Sequence, residues 1–305
     1  MKCALVTGVT GFLGSRLAAG LLERGVDVIG LKRSASDLGQ LSYAKALERL
    51  ELHDVPTEGV FDLGAVLKDR QVDALFHTAS LARVGSSEAE NIALVDTNVR
   101  FPSAIIGQAK KSGLVKSFVN ISTSWQSIDG KTYSPFNVYA ATKEAFEHVV
   151  GALADATFPC VSLRLFDPYG AGDYRNKIVD LLVKTALLGK HLEMSPGLQK
   201  IWLVHVGDAV AGVIQAAQLA LEGKGEGHAV YSIPGFGEPV SLRELADRIQ
   251  ALTGKEVSVA WGAREYRAKE VMLPSLSHPP VPGWSPAISL SDGLKEIVEM
   301  YRKVA

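Results

Sequence analysis

The sequence predicts an α/β protein, a doubly wound parallel sheet carrying a smaller mixed α/β lobe. Three observations predict it. Between Cys3 and Leu165, apolar runs of strand length alternate with helical periodicities. No hairpin signal such as Asn-Gly joins them, which is the pattern of a parallel sheet covered on both faces. The first strand–helix junction, KCALVTGVTGFLG, places glycines at 8, 11 and 14. Beyond Phe166 the elements become shorter and mixed, as in a second, smaller lobe.

Residues 3–6 form a buried strand. Gly8 then makes the tight turn, Gly11 lets backbone approach a ligand, and Gly14 lets the next helix pack close to the strand. A pyrophosphate can therefore sit on the N–H groups that open that helix. Leu13, Leu17 and Leu21 repeat along one helix face that ends at Gly25. Residues 26–31 are the second strand, 32–40 a polar loop, 50–52 a short strand ending at Asp54, and 62–68 a short helix. Strands follow at 72–77, 115–122 and 160–165, separated by helices at 91–112 and 138–154. In the second part, helices are expected at 177–188, 208–222, 241–252 and 291–303, and strands at 200–206 and 256–261. Ser241 with Glu244 is a capping box. The dinucleotide-binding portion is expected to span 1–168, with 203–222 folding back onto it, and the small lobe 169–202 and 223–305.

A chain of 305 residues is long for one core and suits two lobes. With 47% hydrophobic and 21% charged residues it can fill that interior. A net charge of −1 gives no electrostatic reason to expect nucleic acid or an anionic membrane. Two cysteines, Cys3 and Cys160, cannot build a disulfide framework and point to a reducing compartment. No apolar run approaches the ~20 residues of a membrane span, and no signal peptide precedes the first strand. The expectation is a cytoplasmic protein. Seven scattered histidines lack the close pairs of a zinc site, so no metal is expected.

Ligands of parallel sheets bind at the carboxyl ends of the strands. That places residues 8–14, Lys32, Arg33, Asp54, Thr78, Ala79, Ser80 and Thr123 along one rim. At the end of the second strand, an acidic residue would bind a ribose 2′-hydroxyl and repel a 2′-phosphate. Here Lys32, Arg33 and Ser34 follow Leu31, so the expected cofactor is NADPH, with NAD the alternative if this is only a solvated basic loop. Tyr139 and Lys143 lie one turn apart on a helix. A phenol with a pKa of about 10 is a poor acid or base near neutrality, and an ammonium beside it, helped by a cofactor charge, stabilises the phenolate. Such a spacing also occurs in surface pairs; Thr123, at the end of the preceding strand, supplies a hydroxyl to hold a carbonyl oxygen against the tyrosine. Trp125, Trp202 and Trp261 read either as stacking surfaces or as packing.

The residues Thr7, Gly8 to Gly14, His77-Thr78-Ala79-Ser80, Asn98, Ser122-Thr123, Tyr139 to Lys143, Leu163-Arg164-Leu165 with Tyr169-Gly170, and Gly283-Trp284-Ser285-Pro286 resemble the extended short-chain dehydrogenase/reductase family of Rossmann-fold enzymes. Most members act on nucleotide-linked sugars. The resemblance implies a catalytic triad of Thr123, Tyr139 and Lys143. It implies a cofactor site comprising Gly8, Thr10, Gly11, Phe12, Leu13, Gly14, Asp54 with Val55, Thr78, Ala79, Ser80 and Asn98, and a substrate site at Ala82, Ser124, Trp125, Asp167, Asn176 and Lys200. It also implies a homodimer through helices 91–112 and 138–154, with Phe101, Ile105, Ile106, Phe146 and Val150 as its apolar surface.

Departures from the family pattern narrow the reading. Sugar-nucleotide 4,6-dehydratases carry Asp-Glu just after the catalytic threonine, where this chain has Ser124-Trp125. Epimerases carry Val-Tyr-Gly where it has Gln126-Ser127-Ile128. The segment 123–139, with Trp261 to Glu265 and Glu270-Val271-Met272, is similar to the reductases that make CDP-abequose and CDP-paratose. An arginine that many members use to bind the nucleotide is replaced here by Ile201 beside Lys200. The expected function is NADPH-dependent reduction of a keto group, C4 foremost, on a nucleotide-linked deoxy sugar. The alternatives are an NAD-dependent epimerase and a non-catalytic dinucleotide sensor.

Overall fold

The computed structural model describes residues 1–56, 61–83, 87–130, 133–223 and 227–304. Six strands come before residue 166: β1 Cys3–Thr7, β2 Asp27–Arg33, β3 Leu50–Val55, β4 Ala74–His77, β5 Phe118–Thr123 and β6 Cys160–Leu165. With His228–Ile233 they form a seven-stranded sheet in the order His228–Ile233, β6, β5, β4, β1, β2, β3. Every neighbouring pair is parallel. Sequence reasoning has no strand at 228–233 and gives that stretch to the small lobe; here it is the edge strand beside β6.

Helices cover both faces. In the first half they are α1 Phe12–Glu23, α2 Leu63–Leu67, α3 Glu88–Val95, α4 Phe101–Ser112 and α5 Val138–Leu153. In the second they are α6 Ile178–Leu188, α7 Val206–Leu221, α8 Leu242–Thr253 and α9 Leu290–Val304. Leu17 and Leu21 of α1 pack with Val210, Val213 and Ile214 of α7 against one face of the sheet. On the other face, Ile105 and Ile106 of α4 and Phe146 and Val150 of α5 pack with Leu5, Leu75 and Phe118. A third core joins α6, α8 and α9 through Leu182, Leu245, Ile249 and Leu294. Among the described residues no helix is long and apolar enough to cross a membrane.

Three expectations are corrected here. Ile105, Ile106, Phe146 and Val150 are each 0% exposed: their own sheet consumes the apolar surface assigned to a partner subunit. Phe101 is part-buried. The single helix 91–112 is instead α3 and α4 joined by a π-helical turn, Asp96–Arg100. Likewise the strand 200–206 is two strands, Lys200–Ile201 and Leu203–His205, belonging to different small sheets.

Asp73, beside β4, ties the N-terminus to the sheet. Burial raises its carboxyl, but Lys116 Nζ at 2.7 Å and the backbone N–H groups of Lys2 and Cys3 together hold it down, at about 2. A carboxyl depressed on folding stabilises the native state above its unfolded pKa, and that stability is lost as pH falls through the folded value. Asp73→Asn is therefore expected to lower the melting temperature at neutral pH and to flatten its decline between about pH 4 and pH 2. Melting curves against pH check this; a parallel decline in both proteins would contradict it.

Candidate active site

The rim is built from the ends of β1 and β4. Thr7 Oγ1 accepts from the Ala79 N–H at 3.2 Å and stands 2.9 Å from His77 Nδ1, while the Thr7 carbonyl accepts from the Thr78 hydroxyl at 2.6 Å. These bonds lock the two strand ends together under the glycine turn. Gly8 has φ +66°, and a Cβ there would lie 2.7 Å from Ala79 Cα. At Gly14 a Cβ would lie 2.2 Å from the Gly8 carbonyl oxygen and 2.7 Å from Thr78 Oγ1. Gly11 is extended and would bring its Cβ near one atom only, the Gly8 oxygen at 3.1 Å. The cradle is thus tight beneath and open above.

Helix α1 begins beyond Gly11 with no side-chain cap and no acidic residue in its first turn. Its leading N–H groups lack intrahelical partners at the positive end of the helix dipole. A bare helix end, an open cradle and two glycines that admit no Cβ fit a dinucleotide pyrophosphate. Phe12 is buried at the first helical position, its ring flanked by the guanidinium groups of Arg175 at 4.3 Å and Arg16 at 4.9 Å. Thr10 on the turn and Leu13 in the first turn of α1 are part-buried.

At the second strand the expectation of a loop from Lys32 is corrected. β2 continues through Arg33 because β3 offers partners for it, Asp54 opposite Lys32 and Val55 opposite Arg33. Lys32 Nζ is 2.5 Å from Asp54 Oδ1. This bond, with a smaller contribution from Ser34, holds the Asp54 carboxyl below the ordinary range. Arg33 and Ser34 are exposed at the strand end.

Asn98 is fully buried in the π-helical turn. Its Oδ1 accepts from the Ser80 hydroxyl at 3.1 Å and the Leu81 N–H at 2.9 Å. Its Nδ2 donates to the Leu81 carbonyl at 3.0 Å and to Thr142 Oγ1 at 3.1 Å. One side chain therefore holds the loop after β4 against α5.

Thr123 ends β5 and caps the short 3-10 turn Ser124–Gln126, its Oγ1 accepting from the Trp125 N–H at 3.3 Å. That bond uses a lone pair and leaves the hydroxyl proton to donate elsewhere. Asn137 caps α5 through the Ala140 N–H at 2.9 Å and so sets the register of Tyr139 and Lys143. Burial pushes the Tyr139 phenol up, with Asp167 adding to the rise, while the Ser80 hydroxyl and Arg175 oppose it. The lowering expected from Lys143 is not what governs this phenol. Lys143 is 1% exposed, and burial brings its ammonium down to about 8 against the pull of Glu147. His77 is driven well below its ordinary range by burial, then by Lys143, and is a neutral core residue.

Beside Thr123 opens a cleft of about 900 Å³, with Ser124, Trp125, Asp167, Asn176 and Lys200 in its wall. Ala82 is exposed and lies outside that wall. Burial pushes the Asp167 carboxyl up, while Lys177 and Arg175 draw it down. Sequence reasoning missed three wall cations, Lys177, Arg264 and Arg267. Lys177 Nζ lies 5.9 Å from the Trp125 ring centre, Trp125 is 4.9 Å from Phe136, and Arg267 lies 5.7 Å from Phe136. Arg264 was within sight of sequence reasoning, in the segment that resembles the CDP-sugar reductases; Lys177 and Arg267 carry no local signal. Among the described residues no group of His, Cys, Asp and Glu could hold a metal ion.

The chain is 24% identical over 277 residues to the CDP-abequose synthase of Yersinia pseudotuberculosis, covering 90% of this chain and 92% of that one. It is 25% identical over 333 residues to the UDP-glucuronate 4-epimerase of Thermodesulfobacterium geofontis, covering 98% and 96%. Among solved structures, MoeE5 in complex with UDP-glucuronic acid and NAD superposes with a TM-score of 0.80 at 25% identity over 99% of both chains. The model of the NAD dependent epimerase/dehydratase family matches residues 4–233, well over half of the chain. The matched span includes the glycine turn, Thr123 and Lys143, and the chain belongs to this family of NAD(P)-dependent nucleotide-sugar enzymes.

Proposed function

We propose that the protein reduces a keto group, C4 foremost, of a nucleotide-linked deoxy sugar, with Tyr139 as proton donor. The observation that carries this reading is the wall next to Thr123, where Ser124 and Trp125 stand in the places of the Asp-Glu pair that the family's dehydratases carry, and Gln126-Ser127-Ile128 in the places of the epimerases' Val-Tyr-Gly. A dinucleotide bound in the cradle supplies the hydride. Tyr139, its phenol pushed up by burial, is protonated at neutral pH and gives its proton to the carbonyl oxygen as charge develops there. Thr123 directs its free hydroxyl proton at the same oxygen, and Lys143 holds the ribose and stabilises the phenolate left behind. Lys177, Arg264 and Arg267 offer the cleft cations suited to a diphosphate. Turnover of CDP-, dTDP-, UDP- and GDP-linked 4-keto sugars with each nicotinamide cofactor tests the reading. Reduction of none of them, with interconversion of 4-hydroxy epimers instead, would overturn it.

NADPH is the cofactor this reading favours, since Arg33 and Ser34 stand exposed at the end of β2. A charge-assisted hydrogen bond to phosphate is worth ~1.5–3 kcal/mol. Arg33→Ala is expected to weaken NADPH roughly 10- to 150-fold and to leave NADH nearly untouched, as read by titration calorimetry. Equal losses would reject the assignment. The second reading, an epimerase retaining NAD, draws on the Lys32–Asp54 ion pair, which already neutralises one of the two cations at this strand end.

A further inference from the structure

Beneath Thr123 and Lys143 lies a buried ionic cluster that takes no part in the chemistry described above. Arg164 on β6 is 5% exposed. Its Nη2 donates to Glu147 Oε1 at 2.6 Å and to Glu144 Oε2 at 3.1 Å, and its Nη1 donates to Ser127 Oγ at 2.9 Å. Gln126, fully buried, donates through Nε2 to Glu147 Oε2 at 3.3 Å and to Glu144. Its Oε1 accepts from the Thr123 N–H at 3.0 Å and from the Ser122 hydroxyl.

One guanidinium here faces two carboxylates, which leaves a negative surplus. Lys143, one turn before Glu147 on α5, supplies the buried positive charge that balances it. Buried ion clusters are a poor source of net stability, since apolar packing of equal volume does as well. A cluster retained under two working groups therefore calls for a positional explanation.

We propose that Glu147, clamped by Arg164 and Gln126, is a positioning residue that keeps Lys143 charged and, through Gln126, fixes the orientation of Thr123. The inference rests on reading Lys143 and Thr123 as the working groups of the site. Burial alone raises the Glu147 carboxyl, but Arg164, Gln126 and Ser122 bring it below the ordinary range, so it stays ionised. The other groups facing Lys143 do not replace it. His77 on β4 is neutral, Tyr139 carries no charge before reaction, and Glu144 shares its carboxylate among Arg164, Gln126 and the exposed His148; His228 and His278, the imidazoles that face Glu147, are both lowered by burial. Removing the Glu147 charge leaves a surplus cation in a dry site and favours the neutral amine.

The test is the affinity of NAD and NADP, followed by fluorescence titration from neutral to alkaline pH, for the wild type and for Glu147→Gln, Glu147→Asp and Lys143→Ala. Wild-type affinity is expected to fall as Lys143 loses its proton. In Glu147→Gln that fall should come about one pH unit lower, and Glu147→Asp should restore it. A Glu147→Gln protein that binds more weakly at every pH but keeps the wild-type midpoint would overturn the proposal. Lys143→Ala separates the two readings: unchanged binding there would mean that the site reading fails, not the network. Should Glu147→Gln not fold, Glu144→Gln removes charge from the same cluster, and a smaller downward move is expected; no movement overturns the proposal. Gln126→Leu, which cuts the link to Thr123 and removes one of the donors to Glu147, should lower kcat roughly 10- to 100-fold and weaken cofactor binding less than Glu147→Gln does, and unchanged kcat would count against it.

Discussion

Tyr139→Phe is expected to lower turnover roughly 10²- to 10⁴-fold, the usual worth of a positioned general acid, while cofactor affinity stays near the wild-type value. The two effects separate because the phenol and the pyrophosphate cradle occupy different elements. Tyr139 stands on the first turn of α5, near Ser80 and within the field of Asp167 and Arg175. The cradle is the turn between β1 and α1. Phenylalanine keeps the ring, so α5 and its Asn137 cap are retained, and only the hydroxyl, with its acidic proton and its bond to Ser80, is removed. The decisive measurement pairs single-turnover rates on a substrate that the wild type reduces with calorimetric cofactor binding. A variant retaining more than about a tenth of the wild-type rate would show that another group donates the proton, and Asp167, whose carboxyl burial pushes up, would be the next to replace.

Gly14→Ala carries the second large effect, on binding. Its Cβ would stand 2.2 Å from the Gly8 carbonyl oxygen and 2.7 Å from Thr78 Oγ1, and a backbone oxygen has no rotamer to escape into. Either α1 lifts from β1 or the turn opens, at ~1–3 kcal/mol for overpacking of this kind. In both cases the leading N–H groups of α1 leave the place where they converge. Cofactor affinity is expected to fall roughly 100-fold, about 2.7 kcal/mol, with a lower melting temperature. Gly11→Ala is the informative partner. Its Cβ meets only one protein atom, at 3.1 Å, so the melting temperature should hold while binding is still lost, because the methyl group projects into the open side of the cradle. Wild-type affinity in both variants would mean that this turn does not hold the pyrophosphate.

The features that could be read from the sequence are those a few neighbouring residues determine. The glycine spacing, the strand ahead of it and the Ser241–Glu244 capping box depend on local stereochemistry, and the structure shows each. Features decided by a distant partner were missed. Lys32 and Arg33 look like a loop until β3 provides Asp54 and Val55 opposite them. The strand His228–Ile233 has no alternating pattern and exists because β6 lies beside it. The family resemblance assigned Ile105 and Ile106 of α4 and Phe146 and Val150 of α5 to a partner subunit, but apolar side chains on a helix read the same whether they meet a partner or the protein's own sheet, as these do. At the site, Thr123, Ser124, Trp125, Asp167, Asn176 and Lys200 meet in or beside one cleft. Gln126 went unseen as a hub because its importance lies in partners 18 and 21 positions away.

The edge strand His228–Ile233 also bears on how the chain matures. Helix α7 and this strand complete a sheet whose other six strands all end by Leu165. A nascent chain that has emerged only that far has β6 as an open edge, with its N–H and C=O groups unpaired, and Leu17 and Leu21 of α1 without the α7 side chains that cover them. Open parallel edges and uncovered apolar helices are what promote aggregation of slow, non-local folds. The first six strands are thus a provisional layer, vulnerable during synthesis until residue 233 has left the ribosome and docked. A truncation made to isolate the dinucleotide-binding portion should therefore not end at the apparent boundary near Asp167, and one that ends after Ile233 still loses Val281 from the same core and the Pro280 bridge to Ser232.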